Sequence, residues 1–469
     1  MAIQEVTVTA SRLDASFKKP VDFSPLRKHH IVLAGTIFAL NASLGTSLPS
    51  GATTPIAAGF NIPENDQRIV LLNSLYLVGF VFGPLLFGPL SEYIGRRPVM
   101  IGTYLGYTAF TLACALAPSF EALLVFRLCC GFTGSAVNAV LGGLYSDIYD
   151  EPGRRGLAMA IFMFTAMAFP MAGPLVSGFT VLISWRWVFW VALIVAGVGV
   201  PVVGALPETY LPVLEKHAKK DLGLYRGGTG SEPVAAAAAF AARRIFVRPF
   251  SMLLHEPIVL LTSLYLAVVY GILFLFFQAY PIVFEGVYGL SNTTNGLAFI
   301  PMIFGSLLGL FVFLAYASYH SKALSAGNPW ASIEEHRRLP LACIGAPSIV
   351  IALFWLAWTS YTHIHPAVPM MAGIFFGFGY LLVFVAMLNY LTDAYKERSA
   401  SAQAAASSTR ALMAVVLPFA ADPMFQRLGV HWANSLLGFV ALGLAGIPLV
   451  FIRYGRVIRE RSGVVPVGV

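Results

Sequence analysis

Gly83-Pro84-Leu85-Leu86-Phe87-Gly88-Pro89-Leu90-Ser91-Glu92-Tyr93-Ile94-Gly95-Arg96-Arg97-Pro98 decides how the chain is read. The stretch begins inside an apolar run and ends in a short turn carrying Arg96 and Arg97; a second apolar run starts at Val99. Arginines are costly to drag through hydrocarbon, so a basic turn between two apolar runs belongs at the cytoplasmic face. The composition around it agrees. Of 469 residues, 58% are hydrophobic and only 11% charged, against about 25% charged in soluble domains, which argues against a soluble enzyme. The apolar runs are continuous and about twenty residues long, enough for a helix to cross a bilayer core, and do not alternate as barrel strands do. The expected fold class is an all-α polytopic membrane protein.

Working outward from that turn, twelve helices are expected. The first six lie at about 31–55, 68–93, 98–117, 120–146, 156–179 and 185–206, and the last six at about 257–284, 295–319, 339–361, 366–391, 399–421 and 432–452. The chain thus divides into an N-terminal tail (1–30), a first six-helix half (31–206), a charged, Gly-rich linker (207–255), a second half (256–452) and a C-terminal tail (453–469). Pro20 and Pro25 are expected to keep the first tail from being helical, and no cleavable signal is expected there. Trp185, Trp187 and Trp190 suit an interfacial belt. The net charge of +8 is not a nucleic-acid footprint. All 30 Lys and Arg except Arg68, Arg127, Arg186, Arg410 and Arg427 fall in the tails, the linker or turns on one side, which places both termini and the linker in the cytoplasm. The four cysteines, Cys114, Cys129, Cys130 and Cys343, lie in apolar segments without metal-type spacing and are expected to be reduced.

Gly88-Pro-Leu-Ser-Glu92-Tyr93-Ile-Gly95-Arg96-Arg97 resembles the loop between helices 2 and 3 of major facilitator superfamily transporters, commonly G-x-x-x-D-R-x-G-R-R. Glu92 stands in the acidic position and Tyr93 replaces the usual basic residue. Tyr76 to Leu86 is similar to the fungal drug:proton antiporter branch with twelve spans. So are Ser184 to Trp190, Pro207 to Lys220, and Asp393 to Arg410. Phe169-Pro170-Met-Ala-Gly173-Pro174-Leu-Val-Ser177-Gly178 resembles the antiporter motif of helix 5, with Phe169 and Ser177 where glycines are commoner. The resemblance implies the major facilitator fold, two six-helix halves of inverted three-helix repeats around a midplane site. The copy of the Arg-rich loop in the second half, around His320 to Arg338, is degenerate.

Arg127 in helix 4 is an intramembrane charge, and such residues usually face a cavity or a partner. The resemblance implicates it in proton coupling or substrate contact. Asn138, eleven residues on, returns to nearly the same helix face. By family analogy helices 1, 4, 7 and 10 line the cavity, which adds Asn41, Tyr270, Phe274, Gln278 and Tyr380 as substrate-binding candidates. Gating or conformational roles are expected for Gly88, Glu92, Gly95, Arg96, Arg97 and Asp147 at the cytoplasmic ends, through ion pairs holding one access state. They are also expected for Gly173, Pro174 and Gly178 in helix 5, and for Arg410 near the inner end of helix 11. No acidic residue or histidine is expected near the midplane, so the cavity should favour anionic or neutral compounds. The expected function is secondary active export of a small organic compound such as an organic acid. A broad-specificity drug:proton antiporter and a non-transporting receptor are the rivals. Neither a cofactor nor a nucleic-acid partner is expected; the partners are a small-molecule substrate, protons as the candidate coupling ion, and the lipid bilayer of the plasma membrane around a monomer.

Overall fold

Serine followed by proline makes a helix start rather than a helix block. Ser24 caps the N-terminus by accepting from the Arg27 amide, and Pro25 takes the first helical position, where its missing N–H costs nothing. The first crossing therefore starts six residues before its expected position at 31. The structure, a computed structural model, describes residues 19–63, 66–221, 250–395 and 399–462. Its crossings are α1 (Pro25–Gly59), α2 (Gln67–Ile94), α3 (Arg96–Ala115), α4 (Phe120–Ile148), α5 (Gly153–Thr180) and α6 (Arg186–Gly204). They continue with α7 (Pro257–Val287), α8 (Asn292–Ser325), α9 (Glu334–Thr359) and α10 (Ala367–Tyr395). The last apolar stretch, Ser401–Arg459, has 59 residues, far more than the roughly 20 that one crossing needs. It reverses at Gly429, whose φ of 72° breaks the helix in a region natural to glycine. That makes α11 (Ser399–Val416) and α12 (430–462) separate passes. Between the two sets of six, Leu211–Asp221 forms a polar helix; residues 222–249 of the linker, with its alanine run, lie outside the described residues.

Burial sorts the crossings. In their most apolar windows α1, α7 and α10 are 72%, 78% and 78% buried, whereas α6 is 33% and α8 39%, so the first three sit at the centre and the latter two face outward. Such helices are apolar all round because both lipid and protein accept them. Close crossings rest on glycine: a methyl on Gly131 of α4 would overlap the Tyr76 carbonyl of α2, and one on Gly377 of α10 the Met302 carbonyl of α8. Trp185 departs from the belt expectation. It is buried and packs on Phe60 at 5.0 Å, with the Arg186 guanidinium 4.4 Å above its ring. Cys114 and Cys130 are free thiols 4.0 Å apart.

Candidate functional site

Where the two sets of six meet at mid-depth, they leave a small void. Its wall comes from both sides: Ser43 and Thr46 of α1, Phe80 of α2, Asn138 of α4, Met167 and Pro170 of α5, Tyr270 of α7 and Arg410 of α11. It has room for no more than about one water molecule, so the structure is closed around it. Arg410 is the charged member. It lies eleven residues into α11, about 16 Å along the helix, which corrects its expected place near the inner end. Its guanidinium sits over the faces of Tyr270 at 5.6 Å and Phe384 at 5.9 Å. Its hydrogen bond is a long one, 3.4 Å, to Ser407 on its own helix.

Of the seven substrate candidates, Asn138 and Tyr270 line this void. Phe274 and Tyr380 stand behind it in an aromatic cluster, Phe274 at 4.9 Å from Tyr270 and Tyr380 at 4.6 Å from Phe384. Gln278 is half-buried two turns further along α7. Arg127 and Asn41 point elsewhere. Arg127 donates from Nε to the Leu72 carbonyl and from Nη1 to the Gly45 carbonyl, both at 2.8 Å, with Tyr76 under its guanidinium. It lines a separate small void inside the first six helices, with Tyr107, Cys114 and Cys130. Asn41 donates to the Ile37 carbonyl and to the Tyr104 hydroxyl. Arg127 and Asn138 share a helix but not a void: they lie eleven residues, about 16 Å, apart along α4, and the backbone stays helical at Ser135 between them (φ −71°, ψ −16°). Ser43, Thr46 and Met167 were not among the candidates; small polar residues inside an apolar helix were the available signal for the first two.

The second concentration of chemistry is the basic end of the bundle. Gly95 turns the chain with φ of 106°, and Glu208 fills the turn. Its carboxylate accepts from the amides of Arg96 (2.9 Å), Arg97 (3.2 Å), Thr209 (3.0 Å) and Tyr210 (2.9 Å), capping α3 where its dipole favours an anion. The Arg96 side chain is buried. It lies 3.5 Å from Asp147, donates to Ser91 at 2.6 Å, and packs over Tyr210 and against Gly143. Burial, and then the nearby Glu92 carboxylate, push the Tyr210 phenol above its ordinary pKa. Of the two acids expected in ion pairs here, Asp147 pairs with Arg96, whereas Glu92 is exposed and forms no ion pair among the described residues; Glu208, distant in sequence, is the acid that holds the turn, through its backbone amides. Arg97 is exposed, and Gly88 faces Ala139 with space to spare. The second set repeats the device despite its degenerate sequence: Arg338 at the start of α9 donates to Asp393 at the end of α10, at 3.2 Å. Arg459 of α12 pairs with Glu334 and Glu335. Each of these pairs lies within one set of six.

Contacts between the sets concentrate at the opposite end. Thr293 of α8 donates to the Gly178 carbonyl of α5 at 2.9 Å, and Ser74 of α2 to the Val415 carbonyl of α11 at 3.2 Å. Gly296 is so close to α5 that an added Cβ would lie 2.7 Å from the Pro174 carbonyl oxygen. Gly173 leaves room for Ser47 of α1. Ser408 reaches the Val81 carbonyl at 3.5 Å nearer the middle.

Two sets of crossings closing over a shared central void, sealed at one end and charged at the other, describe a membrane transporter rather than an enzyme. The chain belongs to the Major Facilitator Superfamily, whose family model matches residues 33–418. It is 37% identical to the efflux pump FUB11 of Gibberella moniliformis over 93% of this chain and 74% of that one. With the major facilitator superfamily multidrug transporter mdrA of Aspergillus fumigatus the identity is 34%, over 95% and 74%. Among solved structures, the proton:xylose symporter XylE shares the fold with a TM-score of 0.65 at 16% identity, covering 92% of this chain and 96% of that one. The human organic anion transporter MFSD10 does so at 0.61 and 18%, covering 92% and 100%.

Proposed function

We propose that this protein exports a small organic compound, anionic or neutral, by alternating access of the central void to the two membrane faces. The observation that carries this reading is the composition of the void: both sets of six contribute to its wall, and among the described residues its one charged side chain is a cation and no carboxylate or imidazole lines it. A permanent cation favours anions and opposes multivalent cations. The export direction draws on the printed names of the relatives, efflux pumps and a multidrug transporter. The basic end, with Arg96, Arg97 and Arg338, is assigned to the cytoplasm by the positive-inside rule, and the plasma membrane is the proposed location of a monomeric carrier. The multidrug name favours a second reading, a broad drug:proton antiporter.

The test is uptake into proteoliposomes of a panel of organic acids, neutral amphiphiles and organic cations, with and without an imposed pH gradient. Selective movement of acids or neutral compounds supports the proposal. Gradient-driven movement of varied lipophilic cations replaces it with the antiporter.

A further inference from the structure

Two arginines sit at mid-membrane, and their surroundings divide them. Arg127 gives Nε and Nη1 to two backbone carbonyls of its own set of six; its Nη2 is buried without a partner among the described residues, but faces the separate void inside that set and not the one the two sets share. Arg410 has the Ser407 hydroxyl at 3.4 Å and two aromatic faces. A half-buried guanidinium with five donors in a membrane interior is costly when no anion answers it. A second observation lies beside it. The Tyr380 hydroxyl is fully buried without a hydrogen-bond partner, and its ring packs at 4.6 Å on Phe384, the ring that Arg410 covers from 5.9 Å. Buried hydroxyls are ordinarily satisfied, and an orphan calls for an explanation. Guanidinium and phenol are each donors to carboxylate oxygens, so a planar oxyanion is the ligand chemistry that suits both groups.

Resting on the exporter reading above, we infer that Arg410 and Tyr380 form the anion-recognition subsite of the transported compound, taking a carboxylate or a comparable monoanionic head group. The substrate anion draws Arg410 off its aromatic seat, and Tyr270 and Phe384 are left as apolar wall for the substrate body. Asn138, across the void on α4, contacts the same ligand from the other set of six. The anion therefore bridges the two sets, and charge selection acts where alternating access must sense occupancy.

The experiment measures uptake of 2-naphthoate, 2-naphthamide and 2-naphthylmethylammonium by proteoliposomes carrying wild type, Arg410→Lys, Arg410→Gln or Tyr380→Phe. Only protein that elutes as a single symmetrical peak in detergent is reconstituted. Wild type is expected to prefer the carboxylate. In Arg410→Gln the carboxylate-to-amide flux ratio is expected to fall about tenfold or more, the usual worth of a charge-assisted hydrogen bond. Arg410→Lys keeps most of the preference, and Tyr380→Phe loses a few-fold of it. A ratio unchanged in Arg410→Gln overturns the subsite and leaves the exporter reading standing. A uniform fall for all three probes makes Arg410 a packing residue and also overturns it. Wild type that carries the ammonium in preference to both others overturns the anionic reading and the subsite together.

Discussion

Arg127 and Arg410 are the same residue type inside the bundle, yet Arg127 is tied to backbone carbonyls of its own set of six and Arg410 to a serine hydroxyl and two aromatic faces. Hydrogen bonds to charged groups contribute about 1.5–3 kcal/mol each, and Arg127 makes two, to carbonyls of α1 and α2. Its replacement by glutamine is expected to destabilise the protein by about 3 kcal/mol or more, read as a lowered Tm of the purified protein in detergent. Arg127→Lys should not restore it, because an ammonium lacks the planar fork that reaches both carbonyls. An unchanged Tm with an altered substrate preference would return Arg127 to the transport site. Sequence shows both residues as intramembrane charges but not which way they point. Around Arg127 the helix α4 is largely apolar, so its periodicity carries little rotational information, and in α11 the small polar residues are spread over the first three turns and mark no single face.

At the scale of the element, the start of α3 depends on a carboxylate 112 positions away: Glu208 accepts the Arg96 amide at 2.9 Å and three further amides. Glu208→Ala leaves a buried guanidinium's own backbone uncapped and is expected to cost about 1–3 kcal/mol, lowering both Tm and turnover. Glu92→Ala, at an exposed position, should stay within about 0.5 kcal/mol in stability. Comparing the two in thermal melts and proteoliposome flux settles which acid serves the turn; equal losses would restore Glu92 to the role that its place in the motif suggests. The crossings themselves were legible from hydrophobic runs, and their order and number follow from length alone. Their starts were less so. Pro25 and Pro98 each stand in the first turn of a helix, and α1 and α3 begin at or before them, because the first turn forgives a missing N–H; α9 begins six residues before Pro340, which it carries inside the helix. The Glu208 cap was out of reach of the sequence pattern, since nothing in Pro207-Glu208-Thr209 says which helix it will meet. The Arg338–Asp393 pair shows that the ion pair outlasts the motif around it.

The whole molecule is closed over a void too small for an organic substrate, so transport requires the two sets of six to part. The polar contacts between the sets lie at the middle and at the end away from the arginine turns, whereas the ion pairs named above stay within a set. The end bearing Gly178 and Thr293 is thus the one that must open to release a substrate collected from the basic side. The Thr293 hydroxyl donates to the Gly178 carbonyl at 2.9 Å, and a Cβ added at Gly178 would lie 3.4 Å from the Thr293 Cα, close enough for a disulfide to span the two backbones. The double variant Gly178→Cys with Thr293→Cys is expected to form that bond under mild oxidation and to lose nearly all flux in proteoliposomes, with recovery on reduction. Oxidised wild type and the two single variants control for Cys114 and Cys130, which already sit 4.0 Å apart. Flux that persists in the cross-linked protein at the reduced rate would mean that this end stays shut throughout the cycle, and the release path would then have to lie elsewhere.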